Sequence, residues 1–208
     1  MRKLFFYIIS LAIFFLPKEA CGFYNPTETP NNRFGIHVAD VNNLKEASEL
    51  VNSSGGDWGY ITVVIQNDDR NAEKWQLVFD EMRKFHLIPL VRIASSTENG
   101  VWKKLEEDDI ENWARFLASL DWVVENRYVI VGNEPNHAKE WGGKVSASEY
   151  ASYLINFSEK LKNVSDDFFI LPAGLDASAP NGYSTMDEEI FIRRIFSSKP
   201  EILNAIDG

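Results

Sequence analysis

Gly132-Asn133-Glu134-Pro135-Asn136-His137 brings an amide, a carboxyl and an imidazole together in one short run. A glutamate can keep a proton available for a leaving group, and a neighbouring amide can both donate and accept hydrogen bonds. That chemistry needs the carboxyl fixed at the mouth of a site. Pro135 biases the residue before it towards extended backbone, so the expectation is a strand that persists as far as the Glu134 carboxyl. An apolar cup is the expected surrounding, since it favours the protonated form that a leaving group requires. The plain alternative is an exposed acidic turn.

Four more residues are candidates for binding rather than proton transfer. His37 closes an apolar run and is either a substrate ligand or a satisfied buried histidine. Arg92 interrupts Leu90-Val91-Arg92-Ile93, and a buried arginine needs a carboxylate or several acceptors. His137 either lines the same cup or braces the loop that carries it. Trp141, shortly after, offers an aromatic surface on which a ligand can stack. Gln66, Asn67 and Asp176 follow other apolar runs, where a loop role serves equally well. His86 falls at the far end of its run and is expected to be structural.

The elements that must position these groups are readable from hydrophobic periodicity. Short apolar runs rich in Ile, Val and aromatics occur at Phe34–Val38, Tyr60–Ile65, Ile88–Ile93, Tyr128–Val131 and Phe168–Leu171, with a weak one near Ile202–Ile206. Between them, Leu44–Val51, Ala72–Phe85, Ile110–Leu120, Ser148–Leu161 and Glu188–Phe196 space their apolar residues three or four apart. Ser146 with Glu149 reads as a capping box, and Asp187 as a further cap. Strict alternation of apolar strands with amphipathic helices implies an α/β fold with a parallel sheet under helices. No G-x-G-x-x-G follows the first strand, which favours a (β/α)8 TIM-barrel type over a doubly wound sheet. Five βα units and a sixth strand are expected here, fewer than the eight of a closed barrel. The natural chain is therefore expected to continue past residue 208.

The N-terminus is expected to lie outside the fold. Arg2 and Lys3 precede an apolar run, Leu4 to Leu16, and small residues flank a cut after Gly22. Residues 1–22 read as a signal peptide, 23–32 as a linker, and 33–208 as the barrel domain. A secreted or extracytoplasmic location follows, with membrane anchoring as the lesser alternative. The formal net charge is −10, and residues 1–22 hold +2 of it, so the remainder carries −12. Such a surface repels nucleic acid and anionic lipid. Cys21, the sole cysteine, would leave with the signal. The three histidines are far apart, no H-E-x-x-H occurs and no serine sits in a G-x-S-x-G elbow. Neither a metal nor a cofactor is expected, and the sequence is silent on oligomeric state.

A fourth barrel strand ending in Asn-Glu-Pro resembles the clan A glycoside hydrolases, which include cellulase-like and β-xylosidase-like barrels. The resemblance runs from Phe34 to the end of the chain. It implies that Glu134 is the general acid/base of a retaining mechanism on a carbohydrate substrate, and that Asn133 binds the sugar 2-hydroxyl. The nucleophile of that clan stands on the seventh strand, which places it beyond residue 208. Strict strand alternation would send Asn133 and Glu134 to opposite faces, so both reach one site only if the backbone turns there. The alternative reading is a non-catalytic carbohydrate-binding barrel.

Overall fold

The computed structural model describes residues 33–208. The expected signal peptide, Cys21 and the linker lie outside them.

Five strands form one parallel sheet: β1 Gly35–His37, β2 Gly59–Gln66, β3 Leu87–Ala94, β6 Arg127–Val131 and β7 Phe168–Pro172, in the spatial order β1-β2-β3-β6-β7. Strands of the main sheet lie beside their sequence neighbours throughout. No reversal of order occurs, as a doubly wound sheet would require; this is the progression of a barrel wall. The helices α1 Leu44–Val51, α2 Ala72–Lys84, α3 Ile110–Ser119, α4 Ala147–Lys162 and α5 Glu188–Ser198 fall between or after the strands as the periodicity predicts. A small hairpin, β4 Thr97–Glu98 with β5 Val101–Trp102, interrupts the connection from β3 to α3.

Burial divides the two sheet faces. In β2, Ile61, Val63 and Ile65 are fully buried in a core with Trp75, Phe79 and Met82 of α2, while Tyr60, Thr62, Val64 and Gln66 are only half-buried. Register aligns that second face across the sheet. Thr62 stands beside Leu90, Tyr128 and Phe169 in one row, and Val64 beside Arg92, Ile130 and Leu171 in the next. Arg92 is thus the charged member of an otherwise apolar row on the barrel's inner face.

Two local expectations are corrected. The segment near Ile202–Ile206 is not a strand: Pro200 opens a 3-10 helix over Pro200–Asn204, for which its fixed φ is suited. Only at Asp207 does the backbone reach the sheet edge, donating to the Ile170 carbonyl. Ser146 does precede α4, but its side chain makes no capping bond. Asp187 caps α5 as expected, accepting from the Ile190 N–H.

Candidate active site

The chain leaves β6 at Val131 and turns at once. Gly132 adopts φ +86° and Glu134 φ +32°. A side chain at Gly132 would be strained by that backbone, although the nearest atoms of Leu105, Trp141 and Tyr150 lie 3.8–4.0 Å from an ideal Cβ. Glu134 is not extended, contrary to the expectation drawn from Pro135. Proline disfavours the right-handed α region before it, and here the backbone answers with a positive φ. For a non-glycine residue that is an uncommon, strained conformation of the kind found at functional sites.

The turn breaks strict alternation and brings Asn133 and Glu134 to a common neighbour. Arg92 Nη1 donates to Asn133 Oδ1 at 2.6 Å, and the Glu134 carboxylate acts electrostatically on the same guanidinium. Asn133 Nδ2 donates to Glu140 Oε2 at 3.1 Å. The Glu140 side chain is only 10% exposed and is ion-paired with Lys139 at 3.8 Å. Burial lowers the Arg92 pKa, and Glu140 and then Glu134 oppose that shift. The surroundings of Glu134 are therefore charged and hydrogen-bonded on one side, not the apolar cup expected. Among the described residues none donates a hydrogen bond to the Glu134 carboxylate, which leaves its oxygens open to a ligand. Its own N–H is fixed by the Gly174 carbonyl at 3.2 Å, beyond the end of β7.

The other expected residues fare differently. His37 reaches the same region from β1: burial, then the nearby Arg92 charge, lowers its pKa. His137 turns aside to Asp176, with Nε2 2.8 Å from Oδ2, and so braces the loop after β6 against the loop after β7. Asp176 is held down at about 2 by the Ser178 hydroxyl, the Ser178 N–H and then His137. Trp141 does not present a face for stacking. It is 3% exposed and stands edge-on to Tyr150 and Tyr153 at 5.3 and 6.1 Å between ring centres. His86 stacks on Trp58 at 4.6 Å and pairs with Asp57, away from these residues in sequence and strand end, as a structural histidine should.

Two site residues escaped the sequence reading. Trp102 lines, with Arg92, Asn133, Glu140 and Trp141, a narrow cavity of about 40 Å³. It is carried there by the β4–β5 hairpin, whose Asn99-Gly100 turn has φ +52° and +78°. An Asn-Gly pair between extended dipeptides is a recognised hairpin signal and was available in the sequence. The Trp102 carbonyl accepts from the Gly142 N–H at 2.9 Å, which ties the hairpin to the loop after β6. Glu140 had no such signal: the turn at residues 132–134 and the 3-10 helix Ala138–Glu140 fold it back onto Asn133.

Among the described residues no group of three His, Cys, Asp or Glu side chains could hold a metal ion, and no helix is long and apolar enough to cross a membrane.

No family model and no curated protein sequence matches the chain. Solved structures do. A monomeric beta-xylosidase from Caulobacter crescentus CB15 matches with a TM-score of 0.52 and 11% identity, over 67% of this chain and 35% of that one. A beta-mannanase from Thermomonospora fusca matches with a TM-score of 0.50 and 14% identity, over 82% of this chain and 56% of that one. Both are clan A glycoside hydrolases, and the shared part is the (β/α)-barrel wall. The chain spans from about a third to just over half of these relatives' lengths.

Proposed function

We propose that the protein is an exported glycoside hydrolase acting on poly- or oligosaccharides by a retaining two-carboxylate mechanism, with Glu134 as its general acid/base. One observation carries this reading. At the end of the fourth strand of a parallel barrel wall, a strained turn brings an unbonded glutamate carboxylate and an asparagine amide to one arginine. In (β/α) barrels the C-terminal strand ends are where catalytic groups stand.

In this reading Asn133 binds the sugar 2-hydroxyl with the donor and acceptor capacity that Arg92 and Glu140 leave free. Arg92 and His37 line the floor of the site, and Trp102 takes the aromatic role first expected of Trp141. Retention needs a second carboxyl about 5–5.5 Å from the first; we place that nucleophile beyond residue 208. Residues 1–22 direct export, and secreted protein should begin at Phe23 on N-terminal sequencing.

Glu134→Gln tests the assignment in the full-length protein. The variant keeps the size of the side chain and removes its proton, a loss of about 10²–10⁴-fold for basic leaving groups. With an activated aryl glycoside the first step should survive and appear as a burst, and azide should restore turnover by attacking without base assistance. Equal loss on every leaving group, without burst or rescue, would give Glu134 another role. Xylohexaose and mannohexaose serve as the neutral oligosaccharide probes, chosen from the activities of the two structural neighbours. Binding of either without cleavage by the wild type would favour the carbohydrate-binding barrel.

A further inference from the structure

Asn136 is 0% exposed, and its side chain makes three hydrogen bonds. Nδ2 donates to the Asp176 and Met186 carbonyls, each at 3.0 Å. Oδ1 accepts from the Asp176 N–H at 3.2 Å. The Asn136 backbone carbonyl also accepts, from the Met186 N–H at 2.9 Å. One residue is thus bonded to both ends of the excursion that follows β7, from Asp176 to Met186. Both N–H donors of the amide are in use, and burial removes water as a substitute for either. A buried amide satisfied in this way holds its partners in place.

The same residue stands in one tight turn with Glu134. The His137 N–H donates to the Glu134 carbonyl at 2.8 Å, which makes Pro135 and Asn136 the central residues of a β-turn. Proline fixes its own φ, so few free dihedrals separate the anchored Asn136 from Glu134. The loop after β7 also reaches Glu134 itself, whose N–H donates to the Gly174 carbonyl at 3.2 Å. Beyond the turn, His137 bridges Thr185 in antiparallel fashion and the Ala138 N–H donates to the Ser184 carbonyl at 2.8 Å. Glu134 lies past the end of β6 at φ +32°, with no ladder of its own to keep it there. A strained backbone of that kind persists only where its surroundings over-determine it.

We propose that Asn136 is a positioning residue for Glu134. Its buried amide fastens the loop after β7 to the turn that carries the carboxyl, and so fixes where that carboxyl stands. The inference rests on the reading of Glu134 as the acid/base. Proton transfer to a leaving oxygen works only within hydrogen-bond reach, and a misplacement of about 1 Å costs up to about 10²-fold.

The test uses full-length Asn136→Ala and Asn136→Asp. The second keeps the size and one acceptor, and turns an oxygen towards the two carbonyls. The kcat/KM values, which report the first chemical step, should fall roughly ten- to a hundredfold for glycosides with basic leaving groups. For an activated aryl glycoside, which needs little acid help, they should stay within about twofold of wild type. On the Glu134→Gln background Asn136→Ala should add less than about twofold, because the two changes remove the same function. An equal loss on every leaving group, or a full further loss on that background, means that Asn136 only supports folding, and overturns the proposal while leaving the hydrolase. Amide hydrogen exchange gives a readout independent of activity. The Glu134 N–H should exchange at least about tenfold faster in both variants, together with the Asp176 and Met186 N–H groups. Acceleration at Asp176 and Met186 with Glu134 unchanged confines Asn136 to closing its loop, and overturns the proposal as well. In the wild type, which needs no variant to fold, the Asn136 Nδ2 and Glu134 N–H groups should open with the same denaturant dependence; different slopes separate them and overturn it. A protein that cleaves nothing but shows the linked exchange keeps the anchoring of the Glu134 turn and removes the hydrolase.

Discussion

Arg92 Nη1 sits 2.6 Å from Asn133 Oδ1, a contact between residues 41 positions apart that joins the end of β3 to the turn after β6. With Glu140 accepting from Nδ2 on the other side, the Asn133 amide is held in one orientation, with one N–H and one lone pair still available. In the proposed function Glu140 acts as a positioning residue, through the Asn133 amide that it holds. Glu140→Ala should cost about ten- to a hundredfold in kcat/KM, the range of a hydrogen bond to a charged group. Glu140→Gln, which still offers an acceptor oxygen, should recover most of it. If Asn133 meets the 2-hydroxyl, the Glu140→Ala loss should vanish on a 2-deoxy substrate. A loss that persists there would detach Glu140 from that contact.

His37 gives the site a pH signature. Burial first, and the Arg92 charge second, lower its pKa from the ordinary value. The folded state therefore binds fewer protons than the unfolded state near and below pH ~6.5. The sign follows: neutral His37 contributes its full share of stability above that pH, and the share is lost as pH falls towards the folded value. The residue is exposed overall, so solvent screens the effect. Titration of the His37 ring by NMR should give a midpoint below the ordinary value. Arg92→Gln should raise it only part of the way, because burial is the larger cause. A full return to the ordinary value would reverse that order.

Asp176 behaves oppositely. Its carboxylate is held at about 2, by Ser178 first and His137 after it. Here the folded state favours the charged form, so the contribution is present above the ordinary carboxylate range near ~3.9 and is lost as pH falls through about 2. Ser178→Ala removes the largest cause and should raise the Asp176 midpoint more than His137→Gln does. Carboxyl-carbon NMR on the two variants reads this directly. Limited proteolysis should find the 174–187 loop cut faster in His137→Gln, since that variant removes one of the bonds that hold the loop to the turn carrying Glu134.

Much of the fold was legible because burial and periodicity agree. Ile61, Val63 and Ile65 mark β2 from the sequence, and Trp75, Val78, Phe79 and Met82 mark the buried face of α2. Where the reading failed, a local rule met a stronger constraint. Pro135 excludes one backbone region but does not select between the extended and left-handed regions, and the turn at Gly132 decided it for Glu134. The apolar count near Ile202 ignored Pro200, which starts a 3-10 helix. Trp141 was placed on the right loop, but which way a loop tryptophan faces depends on α4, and Tyr150 and Tyr153 bury it. Glu140 meets Asn133 through tertiary folding alone, which no spacing encodes.

The turn that carries Glu134 hangs on a residue outside the motif. Tyr150 is fully buried in α4; its hydroxyl donates to the Val131 carbonyl at 3.1 Å and accepts from the Ala173 N–H at 2.7 Å. Val131 pairs with Pro172 in the register of β6 and β7. The hydroxyl therefore spans the two strands just beyond their last pair, where Gly132 begins to turn and where a direct ladder bond would otherwise form. The Tyr150 ring also packs 4.0 Å from the ideal Cβ position of Gly132. Burial pushes the phenol pKa up, so the hydroxyl stays a neutral donor across the working range. Tyr150→Phe keeps the packing and deletes the bridge, leaving a buried carbonyl and a buried N–H without their partner. The expected cost is about 1–3 kcal/mol, read as a lower denaturant midpoint with an unchanged slope. Activity should fall as well, because the Gly132–Glu134 turn loses the support that sets its starting angle. A variant that unfolds at the wild-type midpoint would mean that β6 and β7 close up and bond directly, and that the spacing of their ends does not depend on Tyr150.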